Sequence, residues 1–319
     1  MYTSIVVPLD GSVFANGALP VAVALAKRSD AALHLIHVRD SVTISEAGPF
    51  GAFLLDTDEP RARAEFENVA ARLAQGGALR VTAEFLDGPV ISSLQRYLED
   101  GTHDLMVLMS HGRGGLSRAW LGSVADGLIR HAHVPLLLLR EETTSVHQAV
   151  EPLFRRVIVP LDGSAIAEEV LDDVVALGTT DVTEYVVLTV IAPHHDRKRE
   201  HDDTVPLIGR SYDEQQREKA FGYLNGVAAE LRSTGAVVTV RVEVHEQRAQ
   251  GILDAAVEHH VDLIALSTHG RGGISRLVHG SVADKVIRGA TTAVLVHHPA
   301  RSRVAPPQAA GTMASALGT

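Results

Sequence analysis

Two glycine-rich stretches hold the residues of this 319-residue chain best suited to chemistry. The first, residues 110–130, reads SHGRGGLSRAWLGSVADGLIR, and the second, residues 268–288, reads THGRGGISRLVHGSVADKVIR. Fourteen of their twenty-one aligned positions are identical. Gly112, Gly114 and Gly115 free the backbone to turn and to aim N–H groups inward. Further along, Gly122-Ser123 and Gly280-Ser281 open a helical pattern. A helix N-terminus carries about half a positive charge and several unpaired N–H groups. Two sets of donors converging on one place suit a phosphate, and the serine hydroxyl can add another donor. Arg113 and Arg118 are placed to screen further negative charge. A simpler reading of the same residues is structural. Ser123-Val-Ala-Asp126 and Ser281-Val-Ala-Asp284 resemble a capping box with Asp in place of Glu, and Asp126 would then oppose an anion.

A second repeated pattern is Pro8-Leu9-Asp10-Gly11-Ser12, which returns as Pro160-Leu161-Asp162-Gly163-Ser164. Each Asp follows an apolar run. Its carboxylate can accept from a ribose hydroxyl or an adenine amine, or it can shape the turn and N-cap of the next helix. The two roles are compatible. His111 and His269 flank the glycine loops and can contact phosphate, but neither has an evident Ser or Asp partner for catalysis. The loops lack the Gly-Lys-Ser/Thr of a Walker A motif, and no G-x-G-x-x-G follows the first strand. Binding is therefore expected over turnover. The His-His-Asp at 194–196 and His-Asp-Asp at 201–203 lack the regular spacing of a metal site and read as a solvated loop.

Elements able to position these motifs alternate between strand and helix. Strand-like runs occupy residues 4–9, 33–38, 79–86, 104–109 and 135–140, and again 156–161, 184–190, 236–244, 262–267 and 293–297, and the first of them lacks polar alternation, as a strand buried on both faces should. Helical spacing occupies 16–29, 59–75, 90–98 and 124–131, and again 165–178, 213–233, 249–260 and 282–288. One unit thus occurs twice in the same order. This is a duplicated domain, since a solenoid repeats every ~20–50 residues. The expected architecture is α/β, two tandem domains, each a five-stranded parallel sheet with helices on both faces. The first unit spans 1–141 and the second 155–298, with a polar linker at 142–154 and a small, Pro-containing tail at 299–319 read as disordered. In such a sheet, ligands sit beyond the carboxyl ends of the strands, where both motifs fall.

Composition bounds the partners. Apolar residues make up 45% of the chain and aromatics only 4%, so the core must be aliphatic. A net charge of −10 argues against nonspecific nucleic-acid binding. The absence of cysteine excludes disulfides and thiol chemistry. No apolar run approaches the ~20 residues that span a bilayer, and Asp10 interrupts the apolar N-terminus, so no signal peptide and no membrane are expected and the cytoplasm is the default location.

VPLDGS at each unit's start and HGRGG…GSVAD…IR near each end, in order and twice, resemble the universal stress protein family, as two UspA-like domains in one chain. The resemblance covers nearly all of residues 1–298. It implies a strand order of 3-2-1-4-5, ATP as ligand with Mg²⁺ as its companion, and a stress-response regulator with slow hydrolysis at most. The motif G-x2-G-x9-G-[ST] of the ATP-binding branch places its second Gly on Gly112 and Gly270, and its last pair on Gly122-Ser123 and Gly280-Ser281. The family's adenosine-contacting Asp falls on Asp10 and Asp162, and a backbone contact to adenine falls on Val38 and Val190. Met109 and Ser267 stand where the motif has its first Gly, close to the ribose. The bulkier Met favours the second unit as the better site. A nucleotide-independent dimerising scaffold of the same fold is the alternative. The apolar fifth strands, VPLLLLR and TAVLVHH, are expected to pair about a two-fold axis within the chain, giving a pseudo-dimer, and chains to associate further as a homodimer.

Overall fold

The computed structural model describes residues 1–39, 59–75, 77–99, 102–110, 121–140, 152–179, 181–193, 206–268 and 280–298. The first half contains β1 (Ser4–Pro8), α1 (Leu19–Ser29, entered through a 3₁₀ turn), β2 (Ala32–Arg39), α2 (Glu59–Ala74), β3 (Val81–Asp87), α3 (Val90–Leu98), β4 (Leu105–Met109), α4 (Ser123–His131) and β5 (Leu136–Leu139). The second half contains β6 (Arg156–Pro160), α5 (Ala165–Glu168), α6 (Val170–Leu177), β7 (Glu184–Ile191), α7 (Pro206–Ser233), β8 (Val237–Val244), α8 (Arg248–Glu258), β9 (Leu263–Ser267), α9 (Ser281–Gly289) and β10 (Ala293–His297).

The strands form one ten-stranded sheet in the order β3-β2-β1-β4-β5-β10-β9-β6-β7-β8. Each half thus has the expected order 3-2-1-4-5. Pairing inside each half is parallel, and the halves meet through the antiparallel pair β5–β10. Its register sets Leu137 opposite Leu295, with Leu138 facing Val294 and Leu136 facing Val296. Leu137 and Leu295 hold equivalent places in the repeat, so a pseudo-two-fold axis passes between them, as in an isologous dimer interface. All six side chains are fully buried. The run of β-branched and leucine residues explains the burial on both faces. Alternate side chains enter two aliphatic layers, one under α1, α2, α6 and α7 and the other under α3, α4, α8 and α9, and both layers run through the two halves.

Several boundaries move from their sequence-based positions. The helix expected over 165–178 is divided at Glu169 into α5 and α6, and α7 begins at Pro206 instead of 213. Proline suits that first position because its missing N–H would be unpaired anyway. Leu153 and Phe154, assigned to the polar linker, are 2% and 1% exposed and belong to the core. Residues 142–151 of that linker, the 299–319 tail and the two histidine-rich triplets lie outside the described residues.

Side chains also reach across the halves. Arg28, in the last turn of α1, donates to the carbonyls of Ala176 and Leu177 at 3.2 and 2.7 Å, satisfying the C-terminus of α6. Tyr2 donates to the Asp173 carbonyl at 3.3 Å.

Candidate functional site

A cavity of about 200 Å³ opens at the carboxyl ends of β1, β2 and β4. Its walls are largely apolar, with Val90 and Leu94 from α3 facing Leu108 and Met109 from β4. Its polar groups come from the two repeated motifs. Asp10 enters from one side, and Gly122 to Ala125 enter from the other.

The Asp10 end is built by a local relay. Asp10 Oδ1 accepts from the Ser12 N–H at 2.9 Å and from Ser12 Oγ at 2.5 Å, and Ser12 Oγ in turn accepts from the Ala15 N–H at 3.0 Å. Gly11 sits at φ +76°, a left-handed conformation that only glycine adopts at little cost. The second half repeats the device. Asp162 Oδ1 accepts from Ser164 N–H and Oγ at 3.0 and 2.6 Å, and Ser164 caps α5 by accepting from Ala167 N–H at 3.2 Å. The structural reading of the motif holds in both halves, and at Asp10 the turn occupies Oδ1 while the carboxylate stays exposed at the cavity mouth.

Val38 follows from strand arithmetic. β1 ends at Pro8, paired with Ile36, and Ile36 O accepts from the Leu9 N–H at 2.8 Å. Residues two apart along a strand direct their backbone groups to the same side. Val38 therefore turns its N–H and C=O toward the space that β1 has vacated, and it lines the cavity. Val190 is placed in the same way past Leu188, whose carbonyl accepts from Leu161 N–H at 2.8 Å.

The opposite end is the N-terminus of α4. Gly122 is its N-cap and Ser123 its first helical residue, with no side-chain cap bond. The Asp126 N–H makes the first intrahelical bond, to Gly122 O at 2.8 Å, so the N–H groups of Ser123, Val124 and Ala125 precede the helical ladder. The capping-box reading is thereby corrected. The glycine occupies the position that the serine would need. Asp126 does not sit over the helix end either. It binds Arg130 of its own helix at 3.0 Å and also Arg288 of the other half. Burial raises its pKa, but the hydrogen bonds from Arg130 and Arg288 outweigh this and hold the carboxyl below the usual range. α9 repeats the arrangement, with Gly280 as N-cap and Ser281 first in the helix. Gly122 N–H donates to Ser110 O at 2.8 Å and Gly280 N–H to Thr268 O at 3.0 Å, fastening each helix start to the end of the fourth strand of its half.

The halves differ at the last residue of their fourth strands, Met109 and Ser267. Met109 is 8% exposed and forms a wall of the open cavity without filling it. In the second half, Ser267 Oγ is buried and has no hydrogen-bond partner among the described residues. The structure brings together Asp10, Val38, Gly122 and Ser123 around one cavity and sets Asp162, Val190, Gly280 and Ser281 at equivalent places. Gly112, Gly270, His111, His269, Arg113 and Arg118 lie outside the described residues. Sequence reasoning missed Ser110 in the lining and the buried Arg140, which donates to Ser110 Oγ at 3.0 Å. Nothing local marks either residue, although Arg140 closes an otherwise apolar strand.

Each half is thus a parallel α/β unit with a helix start and a carboxylate placed beyond its strand ends. The universal stress protein family model matches residues 1–140 and again 153–298, and the chain belongs to that family. A universal stress protein of Mycolicibacterium smegmatis is 28% identical over 303 residues, covering 92% of this chain and 97% of its own. A universal stress protein of Mycobacterium tuberculosis strain H37Rv is 25% identical over 311 residues, covering 92% of this chain and 94% of the relative. Among solved structures, a universal stress protein from Archaeoglobus fulgidus superposes with a TM-score of 0.65 at 19% identity, covering 92% of this chain and 98% of the other. A functionally unknown protein from Pseudomonas aeruginosa gives 0.63 at 15% identity, with 93% of each chain covered. These structures share the fold.

Proposed function

We propose that this protein binds adenine nucleotide, ATP above all, at the carboxyl edge of each half, and acts as a stress-response regulator through its liganded state. The observation that carries the proposal is the convergence, in one cavity, of an apolar slot, a carboxylate and the free start of a helix. The slot between Val38 and Leu94 suits a flat base. Asp10 suits a ribose or amine donor, and the N–H groups of Ser123 to Ala125 suit phosphate oxygens. Asp10 is the only carboxylate among the described lining residues. Among the described residues no group of three His, Cys, Asp or Glu is gathered for a metal. Mg²⁺ would therefore arrive with the triphosphate, held by phosphate oxygens and by the waters it retains. Phosphoryl transfer needs positioned metal and a placed base, so the site favours retention over turnover.

The test is direct. Nucleotide released by denaturing the purified protein, identified by chromatography and ultraviolet absorbance, should be adenylate. Titration calorimetry with ATP and Mg²⁺ should show binding, and turnover should stay below ~1 s⁻¹. Failure of ATP to bind at millimolar concentration would leave the scaffold reading. The β5–β10 junction, made wholly of protein groups, would then be the working part.

No helix among the described residues is long and apolar enough to cross a membrane. We place the protein in the cytoplasm, where ATP is available, and expect chains to associate as a homodimer. Fractionation and light scattering test these two expectations.

A further inference from the structure

The cavity of the first half is tied to α9, the helix that opens on Gly280-Ser281 in the second half. Arg140, 5% exposed at the end of β5, donates through Nη1 to Ser110 Oγ at 3.0 Å and through Nη2 to the Ile287 carbonyl of α9. Ser110 lines the first cavity and its carbonyl holds the Gly122 N–H. The mirrored residue is His298, just past β10, whose Nε2–H donates to the Ile129 carbonyl of α4 at 2.8 Å. Ile129 and Ile287 are equivalent in the repeat, so the two contacts cross about the pseudo-axis. Between them, Arg288 of α9 binds both Asp284 at 3.0 Å and Asp126 of α4. α4 and α9 are nine-residue helices. α4 presents its N-terminus to the cavity and α9 its own to the equivalent place in the second half, and the last turn of each carries a cross-half bond.

We propose that Arg140 is a positioning residue that couples the cavity of the first half to the equivalent site of the second, so that filling one raises the affinity of the other. The proposal rests on nucleotide binding as read above. An anion at the N-terminus of α9 orders that helix along its axis. Its last turn carries Ile287, which Arg140 connects to Ser110 and so to the Gly122 start of α4. The first ligand therefore meets part of the ordering cost of the second, which gives positive cooperativity without a large movement. Couplings of this kind run about 5- to 150-fold.

Two measurements on the full chain test it. The first needs no nucleotide. Gly280→Val perturbs the start of α9, and amide exchange at Gly122 in the other half should rise several-fold, a response that Arg140→Met should abolish and Arg140→Lys partly restore. A Gly122 amide indifferent to Gly280→Val overturns the coupling, and a full response in Arg140→Met overturns the role of Arg140. If Arg140→Met does not fold, Ser110→Ala, which removes the bond from Arg140 Nη1, serves as the blocking change, and a full response in it overturns the role of Arg140. The second measurement is ATP titration. The wild type should fill its sites with a stepwise affinity ratio of at least about fivefold, and Arg140→Met should fill them independently. Independent filling by the wild type overturns the coupling. An amide response without any ATP binding leaves the coupling standing and removes the nucleotide reading instead.

Discussion

At the scale of single residues, the Asp-Gly-Ser motif shows how one side chain serves both fold and site. Asp10 Oδ1 is committed to Ser12, and Ser12 Oγ is committed to the Ala15 N–H. The two functions can be separated by substitution. Ser12→Ala should cost about 1 kcal/mol of stability by loss of a cap, measured by urea unfolding, and weaken ATP little. Asp10→Ala should cost a similar amount and also weaken the first site about tenfold in calorimetry, because a charge-assisted acceptor is lost. A second residue sets a pH dependence. His297 Nδ1 lies 2.7 Å from Asp173 and its Nε2 lies 3.3 Å from Glu169. Burial lowers its pKa, but the two carboxylates outweigh this and raise it above the ordinary histidine value. Tyr2 also abuts this group through the Asp173 carbonyl, and burial followed by the Asp173 charge pushes its hydroxyl well above its usual range, so it stays neutral. A histidine with a raised folded pKa contributes stability that is complete below the unfolded value, about 6.5, and is lost as pH rises through the folded value. Wild-type stability should therefore fall from pH 6 toward pH 8 more steeply than that of His297→Gln, with melting followed by circular dichroism.

At the scale of elements, α4 and α9 are the parts that matter most. Each is short and opens on a glycine rather than on a capping side chain. A serine or aspartate cap would have satisfied one of the free N–H groups internally, whereas a glycine leaves all of them for a ligand. A Cβ on Gly280 would lie 3.4 Å from the Thr268 carbonyl, so Gly280→Val should leave the chain folded and confine its effect to the start of α9. Gly280→Val should consequently read as a binding defect. We expect it to remove more nucleotide than Gly122→Val, because Ser267 is small and its hydroxyl has no partner among the described residues, where Met109 presents a thioether side chain. Equal losses in calorimetry would refute this asymmetry.

At the scale of the whole molecule, the antiparallel β5–β10 pair makes two units into one sheet. Its centre, Leu137 against Leu295, is fully buried, and each such side chain contributes about 1.5–3 kcal/mol. Leu137→Lys should bury an unpaired ammonium on the axis. A loss exceeding about 4 kcal/mol is expected, with the single unfolding transition separating into two as the halves lose their shared strand pair. The Asp126–Arg130–Arg288–Asp284 group spans the same junction. Its depressed Asp126 pKa contributes stability above the unfolded carboxylate value, near 3.9, which is lost as acid protonates the folded group.

The sequence by itself determined the duplication, the alternation of strands and helices, and the placement of Asp10, Asp162 and the two Gly-Ser pairs at the carboxyl edge. Those features are legible because they are local. Burial on both faces is written as uninterrupted apolar runs, helix faces as a 3.6-residue period, and turns as Gly and Asp. Tertiary structure alone decided that Gly122 rather than Ser123 caps α4, that Asp126 answers Arg288 across the junction, that Leu153 and Phe154 join the core, and that Arg140 holds Ser110. Each of these outcomes depends on a partner distant in the chain or on backbone angles set by packing. A residue's type fixes what bonds it can make, and the fold chooses which of those partners it meets.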